Sequence, residues 1–358
     1  MMSQPKIVII DDSLLVRNIL SDVLVKKAGF QVIATGKTGV DCIDLAEKLK
    51  PDFIILDIEM PIMDGLTALA EIKKRKIETN VIMLSVLTQH GADATFRALE
   101  LGAIDFVPKP SSGNQFSPDE IAEVIGSKIK GFLDSHQSSK NVVQRPIAPP
   151  VQRENLNKSF QKQVSINAIA IGTSTGGPKA LQTVFTAIPA DFNKPILVVQ
   201  HMPPGFTKAF ADRLNTLSKV KVKEAEHGDV ITAGHAYIAP GDYQMRVVLK
   251  DGIKMIDLQQ SVQVNGHRPS IEVLFDSMSE VYGGSHLLSV IMTGMGKDGS
   301  QAITNIHSQG GVTLAQDEST SVVYGMNRVA VELGGIDFVL PVEDLVPKML
   351  DLLRARGN

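Results

Sequence analysis

The sequence predicts an α/β protein of two domains, each built on a parallel β-sheet with helices on both faces. In both halves of the chain, short apolar segments of strand length alternate with longer amphipathic segments, and repeated strand–helix units form parallel sheets. A length of 358 residues also exceeds what one hydrophobic core usually supports. A polar, proline-rich stretch that can bury little separates the halves. We therefore expect a first domain over 1–133, a flexible linker over 134–162 and a second domain over 163–358.

Strands alternate with helical patterns throughout the first domain. Strands are predicted at Lys6–Ile10, Gln31–Ala34, Phe53–Leu56, Val81–Leu84 and Ile104–Val107. Helices are predicted around Leu14–Lys27, Gly39–Leu49 and Pro118–Leu133, with further helical patterns between the later strands. This order indicates a (βα)5 sheet, and ligands of such sheets gather at the carboxyl ends of the strands.

The second domain repeats this alternation over a longer stretch. Its strands are predicted at Ala168–Ile171, Ile196–Val199, Ala236–Ala239, Met245–Leu249, Leu288–Met292, Val312–Ala315 and Phe338–Leu340. Its helices are predicted near Pro178–Ala187, Thr207–Leu217, Ile271–Val281 and Lys297–Gln309. A hairpin is expected to be inserted around Tyr237–Met255. The pattern predicts a second doubly wound α/β domain.

Composition argues against membrane-inserted, disulfide-bonded and nucleic-acid-binding proteins. No apolar run reaches the length of a membrane span, and the amino terminus has no apolar signal region, so we expect no membrane insertion. The single cysteine, Cys42, excludes an internal disulfide, which favours a cytoplasmic location. The formal net charge of −3 argues against a protein whose main task is to bind nucleic acid.

Charged and hydroxyl side chains stand at the strand ends of the first domain. Asp11 and Asp12 follow the first strand, Asp57 ends the third, Ser85 follows the fourth and Lys109 the fifth. Three converging carboxylates are tolerable around a hard divalent cation such as Mg²⁺, beside which a carboxylate can attack a phosphoryl group. Lys109 would add a positive charge, and the Ser85 hydroxyl a hydrogen bond to phosphate. Taken singly, each residue has a structural explanation, and Asp12 could cap the first helix.

These residues carry a resemblance to a known domain. The segments Asp11-Asp12-Ser13 and Leu56-Asp57-Ile58-Glu59-Met60-Pro61, with Ser85 and Lys109-Pro110, resemble two-component receiver domains. The resemblance implies a flavodoxin-like fold, phosphorylation of Asp57 by a histidine kinase, and Mg²⁺ held by Asp11, Asp12 and Asp57. Phe106 occupies the position of an aromatic switch residue, for which core packing is an equal alternative.

The second domain has a candidate serine nucleophile. Ser174 lies in the strand-to-helix turn Gly172-Thr173-Ser174-Thr175-Gly176-Gly177, which fits the nucleophile-elbow pattern Gly-x-Ser-x-Gly. The pattern alone is weak, because a phosphate-binding turn uses the same glycines and the neighbouring threonines also carry hydroxyls. The central position in the turn favours Ser174.

A base and an orienting acid can be placed on the same sheet edge. His201 follows the strand Ile196–Val199, and Asp298 follows Leu288–Met292 in a glycine-rich loop, where its alternative role is helix capping. Amides near Met295, with Thr175, could stabilise an oxyanion. The order serine, histidine, acid differs from that of α/β-hydrolases, so we expect a Rossmann-like sheet with convergent catalytic residues.

Further segments identify a family. The segments Gly172–Gly177, Gln200-His201-Met202-Pro203, His267-Arg268-Pro269-Ser270 and Thr293–Gly299 resemble the catalytic domain of the CheB methylesterases. The resemblance implies hydrolysis of glutamate γ-methyl esters on chemoreceptors, deamidation of receptor glutamines, and phosphorylation by the chemotaxis histidine kinase. No cofactor is implied in the catalytic domain. His267 and Arg268 could serve as a second base and a substrate-positioning group, or be structural, and we leave both outside the triad.

The joining of the two domains suggests a switch. The simplest hypothesis is that the unphosphorylated receiver occludes the active-site edge and that phosphorylation shifts the population toward an open arrangement. Three rivals remain: a response regulator whose second domain only binds, such as a transcription factor; a phosphorylation sink with a decayed enzyme; and a regulated hydrolase with another substrate.

Overall fold

The computed structural model describes residues 4–86, 89–109, 118–141 and 164–356. The chain divides into two compact units, Met1–Gly131 and Phe132–Asn358, which are described in turn. The helix predicted to end at Leu133 runs to Asn141, eight residues into the predicted linker. The rest of that linker lies outside the described residues, and the domain bounds stay a prediction.

The first unit is a five-stranded parallel sheet in the order β2-β1-β3-β4-β5. Its strands are β1 (Lys6–Ile10), β2 (Gln31–Gly36), β3 (Phe53–Asp57), β4 (Asn80–Ser85) and β5 (Asp105–Pro108). Its helices are α1 (Leu14–Lys26), α2 (Gly39–Leu49), α3 (Gly65–Lys74), α4 (Gln89–Glu100) and α5 (Pro118–Asn141), of which α5 begins in this unit and runs past its last residue. The chain reverses its direction of winding between β1 and β3, which puts the ligand crevice of a doubly wound sheet at their carboxyl ends.

Local sequence explains how these elements begin. Strand β3 is buried along its whole length, as its apolar run predicts for a central parallel strand. The side chain of Ser13 caps α1 by accepting a hydrogen bond from the Val16 amide, so Asp12 is not the cap. Thr38 and Asp41 form a capping box at the start of α2.

The second unit is a seven-stranded parallel sheet with a separate hairpin. Its strands are β6 (Ala168–Thr173), β7 (Ile196–Gln200), β8 (Lys221–Glu224), β9 (His235–Ile238), β10 (Gln244–Lys250), β11 (Ile253–Gln259), β12 (Leu287–Ile291), β13 (Val312–Gln316) and β14 (Phe338–Leu340). Its helices are α6 (Gly177–Ala187), α7 (Phe206–Leu217), α8 (Ile271–Tyr282), α9 (Ser300–Ser308), α10 (Met326–Glu332) and α11 (Val342–Ala355).

The order of the large sheet is β14-β13-β12-β6-β7-β9-β8. Helix α6 packs with α7 and α11, whereas α9 packs with α8 and α10. The first strand, β6, lies between β12 and β7, so the winding reverses there and a crevice opens at the carboxyl ends of these three strands. The predicted doubly wound α/β class is confirmed for this unit.

The inserted hairpin differs from its prediction. It comprises β10 and β11, from Gln244 to Gln259, whereas Tyr237 belongs to β9 of the large sheet. The two strands are joined by a two-residue turn in which Asp251 and Gly252 both have positive φ. Strand β11 is only partly buried. Its sequence therefore mixes apolar with polar residues and lacks the continuous apolar run that marks a buried strand.

Among the described residues, no helix combines the length and the apolar character needed to cross a membrane.

Candidate active site and phosphorylation site

The predicted triad residues stand at the ends of the three central strands of the second unit. Ser174 directly follows β6 and His201 directly follows β7, while Asp298 lies in the loop between β12 and α9. Because β12, β6 and β7 are adjacent and parallel, all three residues reach the same edge of the sheet at its winding reversal. Ser174, His201 and Asp298 thus lie together at the crevice.

The turn that carries Ser174 is tightly held from both sides. The Ser174 amide donates to the Thr293 carbonyl at 2.9 Å, and the Gly177 amide closes the turn on the Ser174 carbonyl at 2.8 Å. The Gln200 side-chain amide donates both to that carbonyl and to the His201 carbonyl, each at 3.0 Å. Gln200, to which the sequence analysis gave no role of its own, therefore ties the turn of the serine to the backbone of the histidine.

The imidazole of His201 is oriented by Asp298. His201 Nε2 lies 2.8 Å from Asp298 Oδ2, and the side chains are 7% and 0% exposed. An ionised carboxylate only accepts hydrogen bonds, so this contact places the ring proton on Nε2. The other nitrogen, Nδ1, is buried and has no hydrogen-bond partner among the described residues. Nδ1 is therefore the nitrogen available to accept a proton.

Asp298 is held by more donors than the histidine alone. Its carboxylate also accepts from the Asn265 side-chain amide at 2.9 Å and from the Ser270 hydroxyl at 2.7 Å. The backbone amides of Ile271 and Glu272, at the start of α8, donate to it at 2.7 and 3.4 Å. Burial alone would raise the pKa of Asp298, but the contact with His201 and these other hydrogen bonds outweigh it and lower the pKa to about 2.

The capping role considered for Asp298 applies to a different helix. Helix α9 begins after Gly299, which provides no side-chain cap. Asp298 instead receives the first amides of α8, whose positive end favours the ionised carboxylate. Capping and orientation of the histidine are thus performed by the same carboxylate.

The loops expected to stabilise an oxyanion approach Ser174 closely. A Cβ atom at Gly294 would lie 2.7 Å from the Ser174 Cβ, so only glycine allows this approach. The amides of Ser174, Gly177 and Gly294 all donate to backbone carbonyls, whereas the Met295 amide donates to no described residue. Thr175 is buried beside the serine, and its carbonyl accepts from the Thr293 hydroxyl at 2.8 Å. These contacts leave the Met295 amide as a spare donor in the loop.

The two residues left outside the triad have distinct surroundings. The His267 ring stacks on the His201 ring, with centroids 3.7 Å apart and planes 13° from parallel. Arg268 forms an ion pair with Asp242 and donates to the Ser261 carbonyl at 2.7 Å. The structural explanation considered for Arg268 matches these contacts.

The acidic residues of the first unit also converge. Ligand oxygens of Asp11, Asp12 and Asp57 lie within 4.8 Å of one another. The Lys109 ammonium lies 2.6 Å from Asp57 Oδ2, 3.1 Å from Asp11 Oδ2 and 3.6 Å from Asp12 Oδ1. Gly65 packs against this strand end, where a Cβ would lie 2.0 Å from the Asp57 carbonyl oxygen.

Burial dominates the electrostatics of this cluster. Burial raises the pKa of Asp57 to about 6, reinforced by Asp11 and opposed by the hydrogen bond from Lys109. The pKa of Asp11 is raised for the same reason, against the charge of Lys109. Burial would lower the pKa of Lys109, but the carboxylates outweigh it and raise that pKa. The cluster carries an excess of negative charge that one lysine does not balance, and carboxylate oxygens at this spacing fit a hard divalent cation.

Ser85 and Phe106 stand on the neighbouring strands. The Ser85 hydroxyl accepts from the Thr95 hydroxyl at 2.6 Å and donates to the Gly91 carbonyl at 3.2 Å. Phe106, in β5, is 5% exposed. Burial agrees with the packing alternative for Phe106, and its switch role stays a prediction.

Two family models match the chain. The model described as CheB methylesterase matches residues 169–349, and the model described as response regulator receiver domain matches residues 7–119. The second unit is also similar to the crystal structure of the CheB methylesterase catalytic domain of Thermotoga maritima, with 41% identity and a TM-score of 0.51. That similarity covers 53% of this chain and 100% of the Thermotoga chain.

Named relatives match this chain over nearly its whole length. A protein of Pyrococcus horikoshii named protein-glutamate methylesterase/protein-glutamine glutaminase is 41% identical, with 99% of this chain and 95% of the relative covered. A protein of the same name from Clostridium acetobutylicum is 41% identical, with 99% of both chains covered. In Pseudomonas aeruginosa, protein-glutamate methylesterase/protein-glutamine glutaminase 2 is 41% identical, with 98% of both chains covered.

Proposed function

Because this chain belongs to the CheB methylesterase family, we propose that it is a phosphorylation-activated serine hydrolase that demethylates glutamate γ-methyl esters on chemoreceptors. The observation that carries the proposal is the His201–Asp298 pair at 2.8 Å, whose unpartnered Nδ1 is buried at the strand edge that also carries Ser174. The relatives named as methylesterases cover nearly the whole chain, receiver included. Ser174, His201 and Asp298 form the proposed triad.

The proposed reaction follows from the roles of these groups. The Ser174 hydroxyl oxygen attacks the ester carbonyl carbon while its proton passes to His201 Nδ1. Asp298 keeps the other ring proton on Nε2 and stabilises the charged imidazolium. The Met295 amide, with the loop of Thr175, supports the oxyanion. Methanol then leaves with the proton from His201. A water molecule deprotonated by His201 attacks the acyl carbon, and Ser174 Oγ leaves with that proton, which gives glutamate and the free enzyme.

Glutamine deamidation uses the same intermediate. An amide and an ester at the same γ-carbon yield one acyl-enzyme, and only the leaving group differs, being ammonia in place of methanol. Protonation of that leaving group by His201 matters more for the amide, because an amine is the poorer leaving group. We therefore propose protein-glutamine glutaminase activity at the same three residues, with no cofactor in the catalytic domain.

The receiver unit supplies the control. We propose Asp57 as the phosphoryl acceptor, with a chemotaxis histidine kinase as the donor. Asp11, Asp12 and Asp57 would hold Mg²⁺, which offsets the negative charge of phosphoryl oxygens when bound. Lys109, already within 2.6 Å of Asp57, would neutralise part of the remaining charge. Ser85 and Phe106 are the proposed switch residues that respond to the phosphoryl group.

The remaining assignments are proposals of the same kind. They comprise a receiver domain over 1–133, a linker over 134–162 and a catalytic domain over 163–358. The simplest form of control is occlusion of the active-site edge by the unphosphorylated receiver, relieved on phosphorylation. A cytoplasmic location accords with the one cysteine, which is buried and free.

Methanol release tests the proposal. Receptor membranes with methyl-labelled glutamates would be incubated with wild type, Ser174→Ala and Asp57→Ala, with and without a small phosphodonor plus Mg²⁺. We expect release that requires Ser174 and stimulation that requires Asp57. Release without stimulation would retain the esterase and refute the switch. No release from membranes shown to be methylated would point to a hydrolase with another substrate.

A further inference from the structure

A two-residue turn between Val264 and His267 lies against two residues of the proposed triad. Val264 and His267 exchange backbone hydrogen bonds of 3.1 and 2.9 Å, and Asn265 and Gly266 between them have φ of 53° and 79°. Positive φ at both central residues defines a type I′ turn, which Asn-Gly favours. Buried Gln244 anchors its base by donating to the His267 carbonyl at 3.0 Å.

The turn contacts both the acid and the base. The Asn265 side-chain amide donates to Asp298 Oδ1 at 2.9 Å, while His201 lies on the other oxygen, Oδ2. Two residues along, the His267 ring covers one face of the His201 ring at 3.7 Å. The turn thus limits rotation of the carboxylate and tilt of the imidazole.

We propose that the Val264–His267 turn positions the catalytic pair: Asn265 holds the Asp298 carboxylate, and His267 holds the plane of the His201 ring. The proposal rests on the proposed function, since it assigns these residues to the same reaction. Neither residue takes part in proton transfer. In a face-to-face stack the nitrogens of each ring point outward within its own plane, and the two planes are nearly parallel, so no proton passes directly from one ring to the other.

The Asp298 carboxylate has other hydrogen-bond donors, and these limit the loss of activity expected when Asn265 is replaced. Ser270 also donates to Asp298 Oδ1, so loss of Asn265 loosens the acid without leaving that oxygen unbonded. We expect the Asp298 carboxylate to shift by well below 1 Å. A misplacement of 1 Å reduces the rate by about a hundredfold, so the smaller shift should reduce it by about tenfold. Because His201 acts in both halves of the reaction, the loss is expected in kcat, with KM changed less than about twofold.

Asn265→Gly removes the side chain and keeps the turn, because glycine accepts positive φ without strain. The hairpin turn at Asp251 and Gly252, with φ of 52° and 79°, offers a matched control. Asp251→Gly makes the corresponding change at an exposed site in another turn. His267→Phe keeps a flat ring on His201, and His267→Ala removes it.

The experiment measures kcat and KM for methanol release and, separately, the ring N–H proton of His201 by NMR. That resonance is assigned by its loss in His201→Gln and needs no substrate. We expect Asn265→Gly and His267→Ala to lose about tenfold in kcat and to broaden the resonance. Asp251→Gly should resemble wild type in both measurements, and His267→Phe should retain more of the kcat and a sharper resonance than His267→Ala.

Two results would overturn the proposal. One is a kcat and an N–H resonance in Asn265→Gly and His267→Ala that match Asp251→Gly. The other is a His267→Phe variant as slow as His267→Ala, since the imidazole itself would then be needed. Wild type that releases no methanol would refute the proposed function instead, and the NMR comparison would still decide whether the turn holds the pair.

Discussion

Asp298→Asn tests how far one carboxylate supports both stability and catalysis. The side chain is fully buried and accepts from the ring of His201, the side chains of Asn265 and Ser270, and two backbone amides. An asparagine has one accepting oxygen and one donating NH2 group. In either orientation that NH2 group faces donors, and on the side of His201 it forces the ring proton onto Nδ1.

The magnitude of the stability effect follows from the pKa. The pKa of Asp298 is lowered from 3.8 to about 2, which corresponds to about 2 kcal/mol of folding free energy at neutral pH. A group with a lowered pKa stabilises the fold above its unfolded value, and this contribution is lost as the pH falls toward about 2. Asp298→Asn should therefore destabilise the second unit by at least about 2 kcal/mol at pH 7, and the difference should narrow below about pH 4. The reversed tautomer should reduce kcat by roughly 10⁴-fold.

Tyrosine fluorescence can follow the unfolding of the second unit by itself. It has no tryptophan, and its 4 tyrosines (Tyr237, Tyr243, Tyr282 and Tyr324) all lie in the second unit, so tyrosine fluorescence in a urea titration reports unfolding of that unit alone. Asp276→Asn, at an exposed position on α8, is the control, because partial desolvation raises the pKa of Asp276 and its neutral replacement should not destabilise. An Asp298→Asn variant as stable as wild type, or with kcat within tenfold of it, would refute the reasoning.

Three further predictions address the rest of the account. Asp57→Asn should stabilise the metal-free receiver unit by up to about 3 kcal/mol at pH 7, because the pKa of Asp57 is raised to about 6; the gain, measured by thermal unfolding, should grow from about pH 4 to 6 and then level off, and a loss of stability would contradict it. Gly294→Ala should abolish most methanol release, because its Cβ would lie 2.7 Å from the Ser174 Cβ and 2.3 Å from the Met326 Cε. Gly296→Ala in the same loop meets nothing within 4 Å and should cost only the strain of its positive φ, about 1 kcal/mol, so equal activities of the two variants would argue against the close approach. Deletion of 1–160 should raise basal methanol release above that of the unphosphorylated full chain, and no increase would refute simple occlusion.

The strand-end rule explains which site residues the sequence could predict. Asp57, Ser174 and His201 each end or directly follow an apolar strand, so their placement follows from secondary structure and the parallel order of the sheet. Asp298 lies several residues beyond its strand, and its glycine-rich loop drew attention to it. The sequence did not indicate which helix Asp298 would cap, because the start of α8 reaches Asp298 only through tertiary packing.

Contacts made by side chains from separate segments were not predictable. Asn265 and Gly266 carry a recognisable turn signal, but nothing in that signal indicates that the turn lies over Asp298 and His201. Gln200 was noted only as part of a family segment, because a side chain that bridges two backbone carbonyls does not reveal that role in the sequence. Strand β8 and helix α11 were also missed.

The most direct test of the account is to find which residue a fluorophosphonate serine reagent labels, and in which variants. Peptide mapping of the labelled wild type should place the adduct on Ser174, and labelling should be slowed at least about a hundredfold in His201→Gln. An adduct on Thr173 or Thr175, or labelling of Ser174 that does not depend on His201, would contradict the proposed nucleophile and its base.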